Sequence, residues 1–513
     1  MSAETLVESP ARRPQIKLWP FGSLPLSMGI IWALSTGGEA LRWLVLGGFG
    51  SVMVFCLMIS LEAGLIAMMI FEPLRGFLRR AQYLYLTYSA SDPIHVVTPV
   101  VTLLAFVIVL QRHRLRLFYQ SKLAALVTLL AAIYFLQIFN PIQGGISVGM
   151  SGAMFVIIPL LWFYFAQVIK PEFLLTAFRV IVVLGLVTSL YGLYQLYFGF
   201  PAFEQYWVDN TDFYNSISVG KVERALATFS SAEEWGRYVE IGALIAFGFA
   251  AQAANRMRRT GWAVCGGVLS LMLLFTGQRT AMFGLILGFL VLVLTGARSW
   301  RAAVSRGFLL LAPALLIGVL AKAPTNDDML DHGDDERAKA LLSHTARGTL
   351  DPTKEESLNE RLKNWTYLAT DVIPYRPLGM GLGATSVGAW RYGSGDGIDL
   401  PPVDSYFISS VLTCGIPTVL LLIWILAKAT AISWRTFRRA DPDSPEARLW
   451  RIAAAIMPVL ILNNMFGNTF TLYSVAPFGW LLVGWVSTHG LTEKATETEQ
   501  LEIDCGDREL IVL

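Results

Sequence analysis

Three arginine residues occupy positions where the chain could bind an anion. Arg279 lies in the tripeptide Gln278-Arg279-Thr280, between two long apolar stretches, whereas Arg224 and Arg361 lie in two long polar segments. The guanidinium group is planar and permanently charged, and its N–H groups match phosphate oxygens in bidentate geometry. Arginines that line a water-accessible pocket at a membrane surface would therefore suit a lipid that carries a diphosphate. They would hold the head group and offset the charge that develops on it as it leaves.

The apolar stretches beside Arg279, Gly261–Gly277 and Ala281–Gly296, are each roughly long enough to cross a bilayer as a helix. An ionisable group at membrane depth is costly unless it faces water, a partner or an anion, so it marks a candidate functional site. Each arginine also has a structural interpretation. Arg279 would extend to lipid head groups, Arg224 would be an ordinary loop cation, and Arg361 would belong to a solvated, ion-paired helix face.

Asp404, in the sequence Pro-Pro-Val-Asp-Ser-Tyr, is the main acidic candidate. As the N-terminal cap of a helix it would accept hydrogen bonds from backbone N–H groups. As a functional group it would accept a proton from a sugar hydroxyl or bind an acceptor glycan. The five histidines and four cysteines are scattered, and no pair of them has metal-ligand spacing. The sequence therefore predicts neither a metal site nor a disulfide framework.

The composition indicates an all-α polytopic membrane protein. Of the 513 residues, 54% are hydrophobic and only 15% are charged, and the mean hydropathy is +0.54. A soluble globular protein carries about 25% charged residues. The net charge of +2 gives no indication of nucleic-acid binding.

About twelve apolar segments, within a range of 11–14, are expected to span the membrane. Lys and Arg cluster in four short connections, at 112–122, 256–259, 298–306 and 435–451, and such clusters mark the cytoplasmic side. Both chain termini then lie in the cytoplasm and the three arginines at the external ends of the spans. The expected spans are 43–70, 94–111, 122–140, 147–169, 173–198, 235–254, 261–277, 279–296, 306–322, 403–427, 452–468 and 471–488.

The expected organisation has five segments. They are a cytoplasmic tail at 1–42, a transmembrane bundle at 43–323 with an external loop at 201–234, a large external loop at 324–402, the last three spans at 403–488 and a cytoplasmic tail at 489–513. Two alternatives concern the N-terminal part. Phe21–Leu34 would be a further span or a re-entrant piece, and Pro73–Tyr88, with cations at helical spacing, would lie in the membrane interface as an amphipathic helix.

The large external loop at 324–402 is expected to form a small cap with one or two helices. Apolar residues recur at helical spacing within it, at Leu358, Leu362, Trp365 and Leu368. The run Gly379-Met-Gly-Leu-Gly383 resembles a dinucleotide-binding fingerprint only superficially, because no strand precedes it in a βαβ unit. It predicts instead a tight turn that lets the backbone approach a ligand or the next helix.

Four motifs, in this order, resemble those of the O-antigen ligase and Wzy-type polysaccharide polymerase superfamily. Arg224-Ala-Leu-Ala-Thr-Phe-Ser resembles an arginine-led external motif before a span, and Thr276-Gly-Gln-Arg-Thr-Ala resembles a Thr-Gly-Ser-Arg-Gly turn between paired spans. Arg361 to Trp365, followed by Pro377-Leu-Gly-Met-Gly-Leu-Gly383, resembles the start of the large periplasmic loop. Val403-Asp-Ser-Tyr-Phe, with Cys414-Gly-Ile-Pro, resembles its end, which in many members reads His-Asn-Ser-Tyr-Leu followed by Gly-Ile.

The resemblance implies a bacterial inner-membrane glycosyltransferase of the GT-C type whose active site faces the periplasm. Such proteins use undecaprenyl-diphosphate-linked oligosaccharides within membrane lipid, and they need no nucleotide sugar, metal or other cofactor. In polymerases a growing chain moves from its lipid carrier onto a new lipid-linked repeat, whereas in ligases the glycan moves to lipid A–core. The family usually works beside a flippase and a chain-length regulator, and nucleic acid is not a partner.

The same resemblance suggests roles for individual residues. Arg279, Arg224 and Asp404 are the expected catalytic residues, with Glu233 and Glu234 as further candidates for a base. The expected substrate-binding residues are Arg361, Gln278, Tyr406, Arg237 and Glu234.

Two departures from the family pattern bear on the activity. Val403 stands at the ligase-type histidine position and Asp404 at the following asparagine, while Gln278 and Thr280 flank the turn arginine in place of serine and glycine. Loss of the histidine favours a polymerase for an exopolysaccharide, capsule or O-antigen over a ligase. A transporter or flippase is a further alternative, but transporters place ionisable groups near the membrane midplane, whereas these cations lie at external ends.

Overall fold

The computed structural model describes a helical bundle with one two-stranded hairpin. The described residues are 38–89, 92–211, 218–219, 222–295, 337–350, 356–393, 400–401, 403–441 and 444–490. The expected segment Phe21–Leu34, the expected span 306–322 and the tail after 490 lie outside them. The all-α membrane class predicted from composition is confirmed.

The first part of the chain forms a series of helices and one pair of short strands. The helices are α1 (Gly38–Ile59), α2 (Leu61–Ala81), α3 (Val97–His113), α4 (Lys122–Gln137), α5 (Ile146–Leu160), α6 (Trp162–Phe165), α7 (Pro171–Phe198), α8 (Ala202–Asn210), α9 (Ala232–Ala251), α10 (Arg256–Phe275) and α11 (Arg279–Thr295). Strands β1 (Ser218–Val219) and β2 (Val222–Glu223) pair antiparallel between α8 and α9, with Ser218 opposite Glu223.

The rest of the chain forms the cap and the last helices of the bundle. The helices are α12 (Arg337–Leu350), α13 (Glu356–Tyr367), α14 (Val387–Tyr392), α15 (Tyr406–Cys414), α16 (Ile416–Arg439), α17 (Pro445–Met465) and α18 (Ala476–His489). A π-helical turn, Leu368–Val372, continues α13. We call residues 337–350 and 356–393 the cap. The amphipathic helix expected near Leu358–Leu368 is present as α13, although Leu362 on the expected apolar face is exposed.

Five helical stretches among the described residues are long and apolar enough to cross a membrane. They are Arg42–Ile59, Pro93–Phe118, Ile146–Phe165, Pro171–Phe198 and Ile416–Arg439, and the apolar helices Lys122–Gln137 and Arg279–Thr295 are shorter. The outer helices expose large apolar side chains such as Phe55 and Trp424, which suits contact with lipid tails. In contrast, α9 and α18 are buried along almost their whole length, so they form the centre of the bundle.

Two expected spans are interrupted. The segment 43–70 is not one span, because the chain turns at Ser60, whose hydroxyl caps α2 by accepting from the N–H of Ala63. The segment 403–427 is broken at Gly415, where φ is +87°. A left-handed glycine ends a helix, and the following Pro417 is compatible with a first helical turn. The apolar pattern showed the length of both segments but not these breaks.

The expected amphipathic interface helix at Pro73–Tyr88 is wrong. Residues up to Ala81 continue α2, and two of its arginines, Arg75 and Arg80, are buried rather than facing head groups. Arg75 lies 3.2 Å from Glu72, and Arg80 lies 2.7 Å from Glu204 on α8. Glu204 is far away in the sequence, so the local pattern of cations did not reveal it.

The two ends of the bundle differ chemically. At one end, which we call the cationic end, Gln252 after α9 donates to the carbonyl of Ala447, and the hydroxyls of Ser121 and Ser487 lie 2.6 Å apart. The helix boundaries there carry the described cations of the short connections, which are Arg112, Arg114, Arg116, Lys122, Arg256, Arg258, Arg259, Arg435, Arg438, Arg439, Arg448 and Arg451.

The opposite end, which we call the site end, holds the candidate arginines and the cap. Here the N–H of Tyr406 donates to the carbonyl of Gly467 at 3.0 Å, which joins the start of α15 to the end of α17. The cap docks through its glycine run. The N–H of Met380 donates to the carbonyl of Leu412 at 2.8 Å, and a Cβ on Gly383 would lie 2.0 Å from the carbonyl oxygen of Val148. The tight turn expected for this run is therefore present, and it lets the backbone approach neighbouring helices.

Candidate active site

Arg224 lies in the loop between β2 and α9, against the turn that joins α10 to α11. Its Nε is 4.0 Å from the position that a Cβ would take on Gly277. The same Nε is buried and has no hydrogen-bond partner among the described residues. The first and second arginine motifs, separated by about fifty residues in the sequence, therefore meet in space. A buried guanidinium N–H without a partner can donate to an anionic ligand.

The charges around Arg224 come from two other elements. Burial lowers the pKa of the Arg224 guanidinium, the carboxylate of Glu233 raises it, and the positive charge of Arg361 lowers it. Glu233 lies in the first turn of α9 and Arg361 lies in the cap helix α13. Two positive groups close enough to repel each other would both be stabilised by an anion placed between them.

Arg279 is the first residue of α11 and is half-buried. The turn before it is tight: Gly277 has a φ of +68°, and the N–H of Gln278 donates to the hydroxyl of Thr276 at 3.2 Å. The side chain of Gln278 packs on Gly236, where a Cβ would lie 2.9 Å from it. Because the N-terminus of an α-helix carries partial positive charge, this position favours an anion.

Asp404 pairs with Arg361 and does not cap a helix. Nε of Arg361 donates to Oδ2 of Asp404 at 2.9 Å, and the two side chains are 39% and 48% exposed. The cap of α15 is Ser405, whose hydroxyl accepts from the N–H of Ile408. The interpretation of Asp404 as an N-terminal cap is therefore wrong, because its neighbour has that role. The carboxylate of Asp404 is left at the surface between the cap and the bundle.

Arg237 is fully buried and is the centre of a polar network next to the site. It donates through Nη2 to the hydroxyl of Thr280 at 2.6 Å and through Nη1 to Oδ1 of Asn463. Asn463 in turn donates to Glu240 at 2.8 Å, and the carboxylates of Glu240 and Glu233 lie 3.9 and 3.8 Å from Arg237. The network joins α9, α11 and α17. Its contact with Thr280 fixes the residue next to Arg279.

Glu234 and Tyr406 are also held by bonds within the protein. The carboxylate of Glu234 accepts from the N–H groups of Ser230 and Ser474. The hydroxyl of Tyr406 lies 3.3 Å from that of Tyr134, and its ring packs edge-on against Phe470. Both side chains are buried, so they belong to the wall behind the site rather than to its surface.

The structure thus brings together Arg224, the turn with Gln278 and Arg279, and the Arg361–Asp404 pair at one end of the bundle. Sequence reasoning missed Asn463 and Glu240, although a polar residue inside an apolar span is a signal of a buried polar contact. Among the described residues, no group of three or more His, Cys, Asp or Glu side chains is placed to hold a metal ion.

The fold and this site define a membrane protein with an arginine-rich polar site at the bundle end opposite the cationic connections. Residues 264–423 match the protein family described as O-Antigen ligase (Wzy_C). The match supports the resemblance of this part of the chain to the O-antigen ligase and Wzy-type superfamily, and it indicates a ligase- or polymerase-like activity. It covers less than a third of the chain. It includes Gln278, Arg279, Arg361 and Asp404 but not Arg224. No curated protein matches the chain.

Proposed function

We propose that this protein is a bacterial polysaccharide polymerase that acts on undecaprenyl-diphosphate-linked glycan at the periplasmic face of the inner membrane. The observation that carries the proposal is the convergence of Arg224 with the 276–280 turn and with Arg361. The cationic connections lie at the other end of the bundle, and Lys and Arg in short loops mark the cytoplasmic side. The arginines then meet the outer leaflet, where a lipid-borne diphosphate is presented.

In the proposed reaction, a hydroxyl oxygen of the lipid-linked acceptor repeat attacks the anomeric carbon of the donor glycan. The bond between that carbon and the diphosphate oxygen breaks, and undecaprenyl diphosphate leaves with the bonding electron pair. Arg224 and Arg279 bind the diphosphate and stabilise the charge that develops on it, and Arg361 assists from the cap. Asp404 orients the acceptor hydroxyl and takes its proton.

The other expected substrate-binding residues would act at different distances from the substrate. Gln278 lies in the turn and would contact the donor beside Arg279. Arg237 would act through Thr280, because its hydrogen bonds hold the turn. Glu234 and Tyr406 would shape the wall behind the site.

The proposal includes no metal, since the diphosphate is an activated leaving group and the arginines supply the positive charge. Transfer should therefore continue in the presence of EDTA. A flippase and a chain-length regulator would be its partners in the cell.

Two alternatives remain as outcomes of experiment. The related ligase differs in its acceptor, which would be lipid A–core, and the Val403 position argues for the polymerase. A transporter or flippase would need its charged groups in the path across the membrane, whereas Arg224, Arg361 and Asp404 gather at one end.

The test is complementation of a polymer-deficient strain with the wild-type gene and with Arg279→Ala and Arg279→Lys. We expect wild type to restore polymer and both variants to fail at normal protein levels, because a lysine is a point charge without the fork of arginine. Wild-type polymer from both variants would refute the diphosphate role of Arg279. Product found on lipid A–core rather than on undecaprenyl diphosphate would identify a ligase.

A further inference from the structure

The loop that carries Arg224 contains an unusual backbone conformation. Ala227 has a φ of +50°, although it is not a glycine. Such a conformation is disfavoured for L-residues because Cβ approaches the carbonyl oxygen. It persists only where the surrounding structure holds it. Arg80 on α2 and Gln195 on α7 hold it here, and Glu204 on α8 accepts hydrogen bonds from both.

Arg80, near the end of α2, uses all three nitrogens of its guanidinium group. Nη2 donates to the carbonyl of Ala227 and Nη1 to the carbonyl of Phe229, each at 2.6 Å, while Nε donates to Glu204 at 2.7 Å. Arg80 and Glu204 are fully buried. The planar fork thus fixes the spacing of two carbonyls in the loop, which a lysine could not do.

Gln195, on α7, holds the same loop from the other side. Its Oε1 accepts from the N–H groups of Leu226 and Ala227, at 3.0 and 2.7 Å. Its Nε2 donates to Glu204 at 2.7 Å and to the carbonyl of Ala227 at 3.2 Å. Glu204 therefore accepts from both Arg80 and Gln195, and it fixes their relative orientation.

Thr228 completes the attachment of the loop to α2. Its hydroxyl donates to the carbonyl of Pro73 at 2.6 Å, and its carbonyl accepts from the N–H of Phe77 at 2.7 Å. In a regular helix the N–H of residue 77 would bond to the carbonyl of residue 73. Thr228 therefore supplies a partner to each member of that pair.

We infer that Arg80, Gln195 and Glu204 are positioning residues that hold the loop so that Arg224 points at the 276–280 turn. This inference rests on the proposed function, in which Arg224 binds the donor diphosphate. Arg80 donates all three of these hydrogen bonds to groups inside the protein. In contrast, the Nε of Arg224, three residues before Ala227, has no hydrogen-bond partner among the described residues. One buried arginine fixes the backbone and the other is left to meet the ligand.

The test is a double-mutant cycle on purified full-length protein with Arg80→Lys, Arg224→Lys and the double variant. The readouts are kcat/KM for the lipid-diphosphate donor and the unfolding temperature. Misplacing a binding group by about 1 Å can cost on the order of 100-fold. We expect Arg80→Lys to lower kcat/KM by about 10- to 100-fold in the wild-type background and by less than about twofold in the Arg224→Lys background. The unfolding temperatures should change additively.

Arg75→Lys is the matched control. Arg75 is buried on the same helix and pairs with Glu72, but it makes no hydrogen bond to the 224–231 loop among the described residues. It should lower the unfolding temperature without the background-dependent loss of kcat/KM. An equal loss from Arg80→Lys in both backgrounds would overturn the positioning role. A wild-type kcat/KM for Arg224→Lys itself would overturn the role of Arg224 in the proposed function, and the inference with it.

Discussion

The Nε of Arg361 donates to Oδ2 of Asp404 at 2.9 Å. This pair joins helix α13 of the cap to the residue that precedes Ser405, the N-cap residue of α15. Both side chains are about half exposed, so a substrate can displace one from the other without a large change in the fold. The cap thereby brings a third arginine to the edge of the site, beside the carboxylate of Asp404.

Asp404→Asn tests the carboxylate directly. The amide retains the shape of the side chain but is no base, so we expect the transfer rate to fall by about 10²- to 10⁴-fold. The unfolding temperature should hardly change, because an exposed ion pair contributes at most about 1 kcal/mol and Ser405 supplies the helix cap. Glu360→Gln, an exposed change beside Arg361, is the control and should leave the rate unchanged. Full activity of Asp404→Asn would exclude Asp404 as the base.

Arg237→Ala should destabilise the protein strongly. Removing one member of a buried ion pair leaves the other unpaired, which costs about 3–5 kcal/mol, and here Glu240 would lose its cation. The double variant Arg237→Met with Glu240→Gln should recover part of that loss, because no uncompensated charge remains. Thermal unfolding in detergent measures both. A double variant less stable than Arg237→Ala would contradict the account of this network.

Gly383→Ala should loosen the cap. The added methyl would lie 2.0 Å from the carbonyl oxygen of Val148, so the turn must move away from α5. Limited proteolysis should then cut the cap faster than in wild type. Gly267→Ala is the matched control, since a Cβ there meets nothing within 4 Å and alanine is the better helix former. Equal proteolysis of Gly383→Ala and wild type would mean that the glycine run does not hold the cap.

Cysteine labelling tests which end of the bundle faces outward. In a background without the native cysteines, Tyr375→Cys in the cap and Leu115→Cys at the cationic end are both at exposed positions. An impermeant maleimide added to intact spheroplasts should label Cys at position 375 and reach position 115 only after the membrane is opened. The reverse pattern would put the site on the cytoplasmic side and refute the proposed reaction.

The arginine motifs could be predicted from the sequence because each lies next to a recognisable feature, a turn between apolar spans or the start of a polar loop. Their positioning residues could not. Arg80 and Glu204 are 124 residues apart, and nothing in the local pattern around either indicates the other. The pairing depends on how α2, α7 and α8 pack.

Prediction from the sequence was also limited where neighbouring residues have similar helix-capping propensities. Asp404 and Ser405 are both good N-terminal caps, so propensity alone did not show which one caps α15. Likewise the burial of Arg237, Glu234 and Tyr406 follows from how α9 and α15 pack against the other helices. The sequence pattern did not indicate that these side chains are buried.

The most direct measurement is equilibrium binding of undecaprenyl diphosphate to the purified protein and to Arg224→Gln and Arg279→Gln. A charge-assisted hydrogen bond contributes about 1.5–3 kcal/mol, so each variant should bind the lipid about 10- to 100-fold more weakly. Competing inorganic diphosphate should also displace less bound lipid from each variant than from wild type. Arg258→Gln, at an exposed position of the cationic end, should bind as wild type does. Wild-type affinity in both site variants would contradict the claim that these guanidinium groups hold the diphosphate.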